Sequence, residues 1–365
     1  MGHASGRLSG RLRGWGGVTA MGAACAVTAA LTLVPLSQHG TGSAGRSAGP
    51  PVHRVEAAAR ESADAGTKAP CPSTGRPAEA SLPPSSGSGR TIDKMLGRKG
   101  DERKLIVGVD QNSYRWGYLN PATDAFEGFD IDLAHAIAKS IFGDADAITF
   151  KPVSTKERTT ELANGSVDIV VRTMTISCDR LKEAEFSTAY FTAGQQVLAP
   201  RSSTITGYNR TLAHKRVCTA TGSTGVQELE KDNPYGAYFW DASRNVGHNP
   251  DHVDVDDLSV PNQLDCLVRL QLGLVDAVIT DNALAAAQAA QDPAVELKGK
   301  PFTTEYYGVA ARRGADDLVA RINYVLEQYR SGGADSAWQK SYDKWLKAEL
   351  GPTTGPPAPR YLPGP

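Results

Sequence analysis

A surplus of charge of either sign is what this sequence most plainly lacks. Its 39 Lys and Arg stand against 40 Asp and Glu, for a formal net charge of −1. Residues 1–90 take nine of the basic and four of the acidic side chains, so residues 91–365 carry 30 basic against 36 acidic ones. Such a body offers no electrostatic footprint for phosphate backbones, which argues against nucleic acid as a partner. Cysteine is scarce too. There are five, with no CxxC and no Cys/His spacing of a zinc site, so neither a metal nor any other cofactor is called for.

Acidic residues are missing before Glu56, whereas Arg7, Arg11 and Arg13 precede the apolar run "GGVTAMGAACAVTAALTLVPL" (16–36). A basic flank followed by an apolar run reads as an export signal or a retained membrane anchor over 1–44. Cys25 invites a lipid anchor, but Gly22-Ala23-Ala24 lacks the large aliphatic residue that normally stands three places before such a cysteine. Each alternative puts the folded part outside the cytoplasmic membrane, secreted or anchored to its outer face. There the remaining Cys71, Cys178, Cys218 and Cys266 are expected to form disulfides. Large apolar residues are sparse between 37 and 90, as in "GTGSAGRSAGPP" and "SLPPSSGSGR". Such composition does not offset ordering entropy, so 45–90 reads as a disordered tether. A shorter Pro-rich tail occupies 352–365.

What is present between them alternates. "RKLIVGVD" (103–110), "ITFKPV" (148–153) and "VDIVVRT" (167–173) read as strands. The helix between the first two carries an apolar stripe at Ile131, Ala134, Ile137, Ala138 and Ile141. "STKERTTELANGSV" supplies the second crossover. The pattern repeats after the connector "GQQVLAPRSSTIT": strands at "KRVCTAT", "VDVDDL" and "VDAVITD", with helices at "GSTGVQELEKD" and "PNQLDCLVRLQLG". Strand–helix alternation implies two parallel sheets, hence an α/β chain of two lobes. The first lobe spans 91–197 and the second 198–303. The strand "YYGVAARRG" and two helices return 304–351 to the first lobe, making two hinge crossings. Ligands of such sheets sit beyond the carboxyl ends of the strands, where Thr173, Thr175 and Arg180 fall.

The motifs "GFDIDLAHAIA", "NGSVDIVVRTMTISCDR", "EFSTAYF", "GSTG" after a strand and "GLVDAVITDNA" occur in this order. Over 103–350 the sequence resembles the family 3 extracytoplasmic solute-binding proteins, the polar amino-acid receptors of ABC transporters, and most closely the actinobacterial glutamate/glutamine type. The resemblance implies a periplasmic-binding-protein-like, type II "Venus flytrap" fold closing over a free amino acid. It implies Arg180 for the α-carboxylate, with Thr175 and the Thr173 carbonyl beside it, and Asp281 for the α-ammonium. The residue types suit these tasks, since a guanidinium grips a carboxylate bidentately. Surface pairing of Arg180 with Asp179 or Glu183, and a helix N-cap role for Asp281, are the plainer alternatives.

Ser223 and Thr224 start a helix after a strand, where free N–H groups suit an anion or an ordinary cap. Arg158 matches the arginine that acidic-amino-acid binders direct at the ligand's side chain; a solvated helix face is the alternative. Arg172 interrupts an apolar strand at the lip of the site. Trp116 either walls the pocket or sits in the core. Asp110 departs from the acidic-ligand pattern, because glutamine binders carry aspartate there. Three arginines against Asp110 and Asp281 favour L-glutamate or L-aspartate, with asparagine and glutamine still open.

An ABC permease is the expected membrane partner, and a monomer the expected state. A sensor docking on a membrane receptor is the alternative. An enzyme on the same scaffold would be expected to replace Asp281. Cys218 and Cys266 fall on neighbouring elements and are expected to pair, which leaves Cys71 for Cys178. His248 and His252 in "HNPDH" share i, i+4 spacing, but Pro250 argues against a common helical face.

Overall fold

The computed structural model describes residues 70–363. The expected export signal or anchor over 1–44, with Cys25, and the tether up to residue 69 lie outside the described residues. Among the described residues no helix is long and apolar enough to cross a membrane.

Two five-stranded mixed sheets form the two lobes. The first runs in the order Ile148–Pro152, Leu105–Val109, Ile169–Val170, Ala310–Arg312, Ala184–Phe186. Its first three strands are parallel, and Ala310–Arg312 lies antiparallel to both its neighbours. The second sheet runs Ser259–Val260, Val217–Ala220, Ala277–Asp281, Gln195–Pro200, Val295–Lys298, again with three parallel strands and one antiparallel to its neighbours. Phe191–Ala193 and Glu305–Tyr307 pair antiparallel, so the two hinge crossings lie side by side as a ribbon. This is the expected two-lobed α/β architecture.

Local sequence explains the crossovers. The helix Phe129–Phe142 buries Ile131, Ala134, Ile137, Ala138 and Ile141 on one stripe and ends at Gly143 in the left-handed region. Gly128, which starts it, has φ of 133°, and a Cβ there would meet the Trp116 carbonyl oxygen at 2.3 Å. No larger residue fits that turn.

Three segments differ from expectation. "GQQVLAPRSSTIT" is not a connector, because Gln195–Pro200 is an interior strand of the second sheet. Its polar start hid it, since Gln195 and Gln196 are buried and held by side-chain hydrogen bonds. "VDVDDL" is not a strand either. Asp254 accepts a hydrogen bond from the Asp256 N–H and caps a helical turn, Val255–Leu258, before the short strand Ser259–Val260. The tether was expected to reach residue 90, yet 70–90 is ordered against the first lobe. Ala80–Ser81 pairs in parallel with Arg360–Tyr361 of the Pro-rich tail. The Ser81 hydroxyl donates to the Phe186 carbonyl at 2.6 Å, and Asn323 donates to Ser81 and to the Leu82 carbonyl. Composition could not show this order, because the hydrogen bonds come from residues more than 100 positions away.

Both disulfides form as paired from the sequence, Cys218–Cys266 with Cα atoms 5.5 Å apart and Cys71–Cys178 with 5.2 Å. The first staples a strand to a helix within the second lobe. The second ties the N-terminal segment to the loop that carries Arg180. The sequence separations are 48 and 107 residues. Replacing both cysteines of a pair by serine is therefore expected to lower stability by about 4 and about 5 kcal/mol respectively in the chain-entropy account. Urea unfolding measures both losses, and a free thiol at Cys178 in non-reducing peptide maps of secreted protein contradicts the second bridge.

Candidate functional site

The carboxyl ends of the parallel strands of both sheets converge on one cleft. After Ile169–Val170 the chain continues through Arg172 and Thr173 to Thr175 and Arg180. The second sheet contributes Gly222-Ser223-Thr224 after Val217–Ala220, and Asp281 at the end of Ala277–Asp281. A cavity of only about 10 Å³ lies between them, far below the ~300–1,000 Å³ of drug-sized sites. Arg158, Thr173, Thr175 and Arg180 line it from the first lobe; Ser223, Thr224 and Asp281 line it from the second.

Arg180 is buried. It donates to the Thr175 carbonyl at 2.7 Å and across the cleft to the Gly222 carbonyl at 3.1 Å. The surface ion pair considered for it does not form, since Asp179 pairs with Lys182 instead. Arg158 is buried as well. Its Nε donates to the Thr155 carbonyl at 2.8 Å, and Nη2 reaches the Gly222 carbonyl at 3.4 Å. Among the described residues neither guanidinium has a carboxylate within ion-pair distance. Burial, then the neighbouring Arg180 and Arg172 charges, holds Arg158 well below its ordinary value, and burial likewise lowers Arg180. Two desolvated guanidiniums on one cavity, neither in a direct ion pair, are chemically suited to an anion.

Asp281 supplies the opposite charge. It is 6% exposed and accepts the Tyr307 hydroxyl at 2.5 Å and a hydrogen bond from Gln195 Nε2. Its side chain makes no capping bond to the helix Asn282–Gln291 that follows, so the N-cap alternative is not realised. Burial first, and then the Glu305 charge, push its carboxyl up to about 7. Capping falls to Ser223, whose Oγ accepts from the Val226 N–H at 3.3 Å at the start of Thr224–Lys231. The Thr224 hydroxyl accepts from Gln195 Nε2 at 3.0 Å.

Three residues expected at the site lie behind it. The Arg172 side chain is fully enclosed and pairs with Asp110 at 2.8 Å, with further bonds to Thr155 Oγ1 and Asn262 Oδ1. Neither Arg172 nor Asp110 is on the cavity wall. The two charges oppose each other, although the Arg172 charge still acts on both cavity arginines. Trp116 is 0% exposed and belongs to an aromatic cluster with Phe129, Phe191 and Tyr307. Its indole N–H donates to the Ala283 carbonyl of the second lobe at 3.2 Å. Apolar partners on every side make it core rather than pocket wall.

Conversely, Gln195, Gln263 and Thr280 line the cavity without having been singled out, and Tyr307 holds Asp281 from the hinge ribbon. Gln195 lay inside the apparent connector. The other three carried no pattern beyond ordinary strand and helix composition. Among the described residues no group of three or more His, Cys, Asp or Glu is arranged to hold a metal ion.

Residues 105–348 match the bacterial extracellular solute-binding proteins, family 3. The chain belongs to that family. Its members bind solutes rather than transform them, and act outside the cytoplasm. Among curated relatives, family 3 members similar to this protein include the ABC transporter glutamine-binding protein GlnH of Bacillus subtilis. It is 34% identical over 249 residues, 68% of this chain and 83% of its own length. The glutamate-binding protein GluB of Corynebacterium efficiens is 24% identical over 68% of this chain and 79% of its own. Among solved structures, an ancestral arginine-binding protein bound to glutamine superposes with a TM-score of 0.55 at 31% identity, covering 68% of this chain and 98% of that one.

The buried Arg172–Asp110 pair gives this solute-binding protein a measurable weak point. Asp110→Ala leaves an enclosed guanidinium without its counter-ion, and is expected to cost about 3–5 kcal/mol in urea unfolding. A loss below 1 kcal/mol contradicts the pairing.

Proposed function

We propose that this family 3 protein captures a free polar amino acid, L-glutamine in the first place, and delivers it to an ABC importer. One observation carries the reading: buried Arg180 from the first lobe and buried Asp281 from the second line the same small cavity. A zwitterion is the small solute that needs both. Arg180 takes the α-carboxylate as a fork, and Asp281 takes the α-ammonium. A ligand held by both lobes favours their closure, because part of its binding energy is available only when they meet.

The choice between amide and acid follows from charge. With Arg172 paired to Asp110, Arg158 and Arg180 face Asp281 and the nearby buried Glu305. That balance suits a ligand of zero net charge, with Arg158 donating to a side-chain carbonyl. Two curated relatives, 34% and 36% identical, are named for glutamine and support this choice, whereas a third at 32% is named for histidine. L-Glutamate or L-aspartate is the second reading, favoured by the absence of any carboxylate partner for Arg158 among the described residues.

Calorimetry against the twenty amino acids tests the proposal, and a preference for an aliphatic or basic ligand overturns it. Arg180→Ala is expected to weaken every amino acid at least 100-fold. Arg158→Ala is expected to weaken glutamate more than glutamine, and equal losses remove Arg158 from the side-chain position.

Acidity provides a third check. Asp281 must be ionised to hold an ammonium, and burial pushes its carboxyl up to about 7. Below that value binding must first displace a proton. Affinity is therefore expected to be constant above pH 8 and to fall about tenfold per unit below pH 7. A flat profile from pH 5.5 to 8.5 contradicts the ammonium role of Asp281.

A further inference from the structure

The motif "GFDIDL" includes two carboxylates that the ligand chemistry leaves unused, of which Asp130 reaches the site's backbone. Asp130 is the second residue of the helix Phe129–Phe142, 2% exposed, and absent from the cavity wall. Both of its oxygens are engaged. Oδ2 accepts from the backbone N–H of Thr173 at 2.9 Å, and Oδ1 accepts from the Tyr190 hydroxyl at 2.8 Å. A carboxylate in the first turn of its own helix is also favoured by the dipole there, which makes it a fixed point.

What it fixes is unusual. Thr173 has φ of 42°, in the left-handed region that a β-branched residue avoids unless its surroundings impose it. Thr173 also lines the cavity, at the point where the chain leaves Ile169–Val170 for Thr175 and Arg180. An extended residue there would carry the following backbone in another direction, and the Arg180 loop with it. The Tyr190 hydroxyl holds the carboxylate from the other side. Tyr190 directly precedes the hinge strand Phe191–Ala193, and its N–H donates to the Tyr307 carbonyl at 2.8 Å.

We propose that Asp130 is a positioning residue for the ligand site: by accepting the Thr173 N–H it holds that residue in the left-handed conformation and so aims the first-lobe half of the cavity. The proposal rests on the cavity being the amino-acid site, but not on which amino acid fills it. Asp130 does not touch the ligand. It acts through the backbone of residue 173.

Glycine adopts positive φ without steric cost, so it separates positioning from general support of the fold. The ligand used is whichever amino acid the unmodified protein binds most tightly by calorimetry. Asp130→Ala is expected to weaken it at least tenfold. Adding Thr173→Gly to that variant is expected to recover binding to within about threefold of Thr173→Gly alone. Asp130→Asn, which keeps an acceptor for the Thr173 N–H, is expected to stay within about threefold of the unmodified protein.

A residue that merely supports the lobe would not be rescued by glycine at 173. A double variant binding no better than Asp130→Ala overturns the proposal, as does an Asp130→Ala protein of unchanged affinity. If Asp130→Ala does not fold, Asp130→Ser with and without Thr173→Gly serves the same comparison. Hydrogen exchange at the Thr173 amide gives a ligand-free arm. Protection is expected in the unmodified protein and lost in the Ala or Ser variant, and unchanged protection overturns the hold. Failure of any amino acid to bind the unmodified protein refutes the proposed function, and the exchange arm then still decides whether Asp130 holds Thr173.

Discussion

The cleft is organised by charges that are taken out of water before they are paired. Arg180 and Arg158 have exchanged hydration for three backbone carbonyls apiece at most, and one of those, Gly222, belongs to the facing lobe. A carbonyl dipole offsets only part of the cost of burying a guanidinium. Asp281 is in the reverse situation, a buried carboxylate supported by a phenol and an amide rather than by a cation. Each side therefore retains affinity for the charge that the other lacks. The two strand-end loops stay close without a direct Arg180–Asp281 ion pair, which would leave nothing for a solute to satisfy.

Much of the remaining structure keeps those groups in place. The hinge ribbon links the two sheets through Phe191–Ala193 and Glu305–Tyr307. The same ribbon delivers the Tyr307 hydroxyl to Asp281, so the hinge and the buried carboxylate are joined through one residue. On the other side, Cys178 stands two positions before Arg180 and is tied to Cys71. The Arg180 loop is thus fixed at both ends, by the Asp130 carboxylate at Thr173 and by the disulfide at Cys178. A loop anchored twice loses little further entropy when it grips a ligand, and that is the advantage of preorganisation.

The architecture was legible because it follows from local patterns. The stripe from Ile131 to Ile141, the apolar strands and the polar residues after them gave two α/β lobes and put Thr173, Thr175, Arg180 and Asp281 at strand ends. What the sequence hid depends on distant partners. Gln195 meets Asp281 86 residues away, Tyr307 meets it 26 away, and Asp130 meets Thr173 43 away. None leaves a periodic trace. Arg172 and Trp116 are ambiguous in the sequence for a related reason: their neighbours do not distinguish a side chain facing the cleft from one facing the core. Asp110 settles the first case, and three aromatic neighbours settle the second.

The same pairing alters what the cleft can discriminate. Counting every arginine near the site gives a positive surplus and an acidic ligand. Counting the charges that remain unpaired around the cavity gives two guanidiniums against Asp281 and Glu305, close to balance. A second ligand carboxylate would then have to share Arg158 with three backbone carbonyls at the cost of desolvation, whereas an amide offers an acceptor with far less to desolvate. On the proposed reading Asp110 bears on specificity without lying on the cavity wall. By pairing with Arg172 it reduces the positive potential that the arginines put on the cavity.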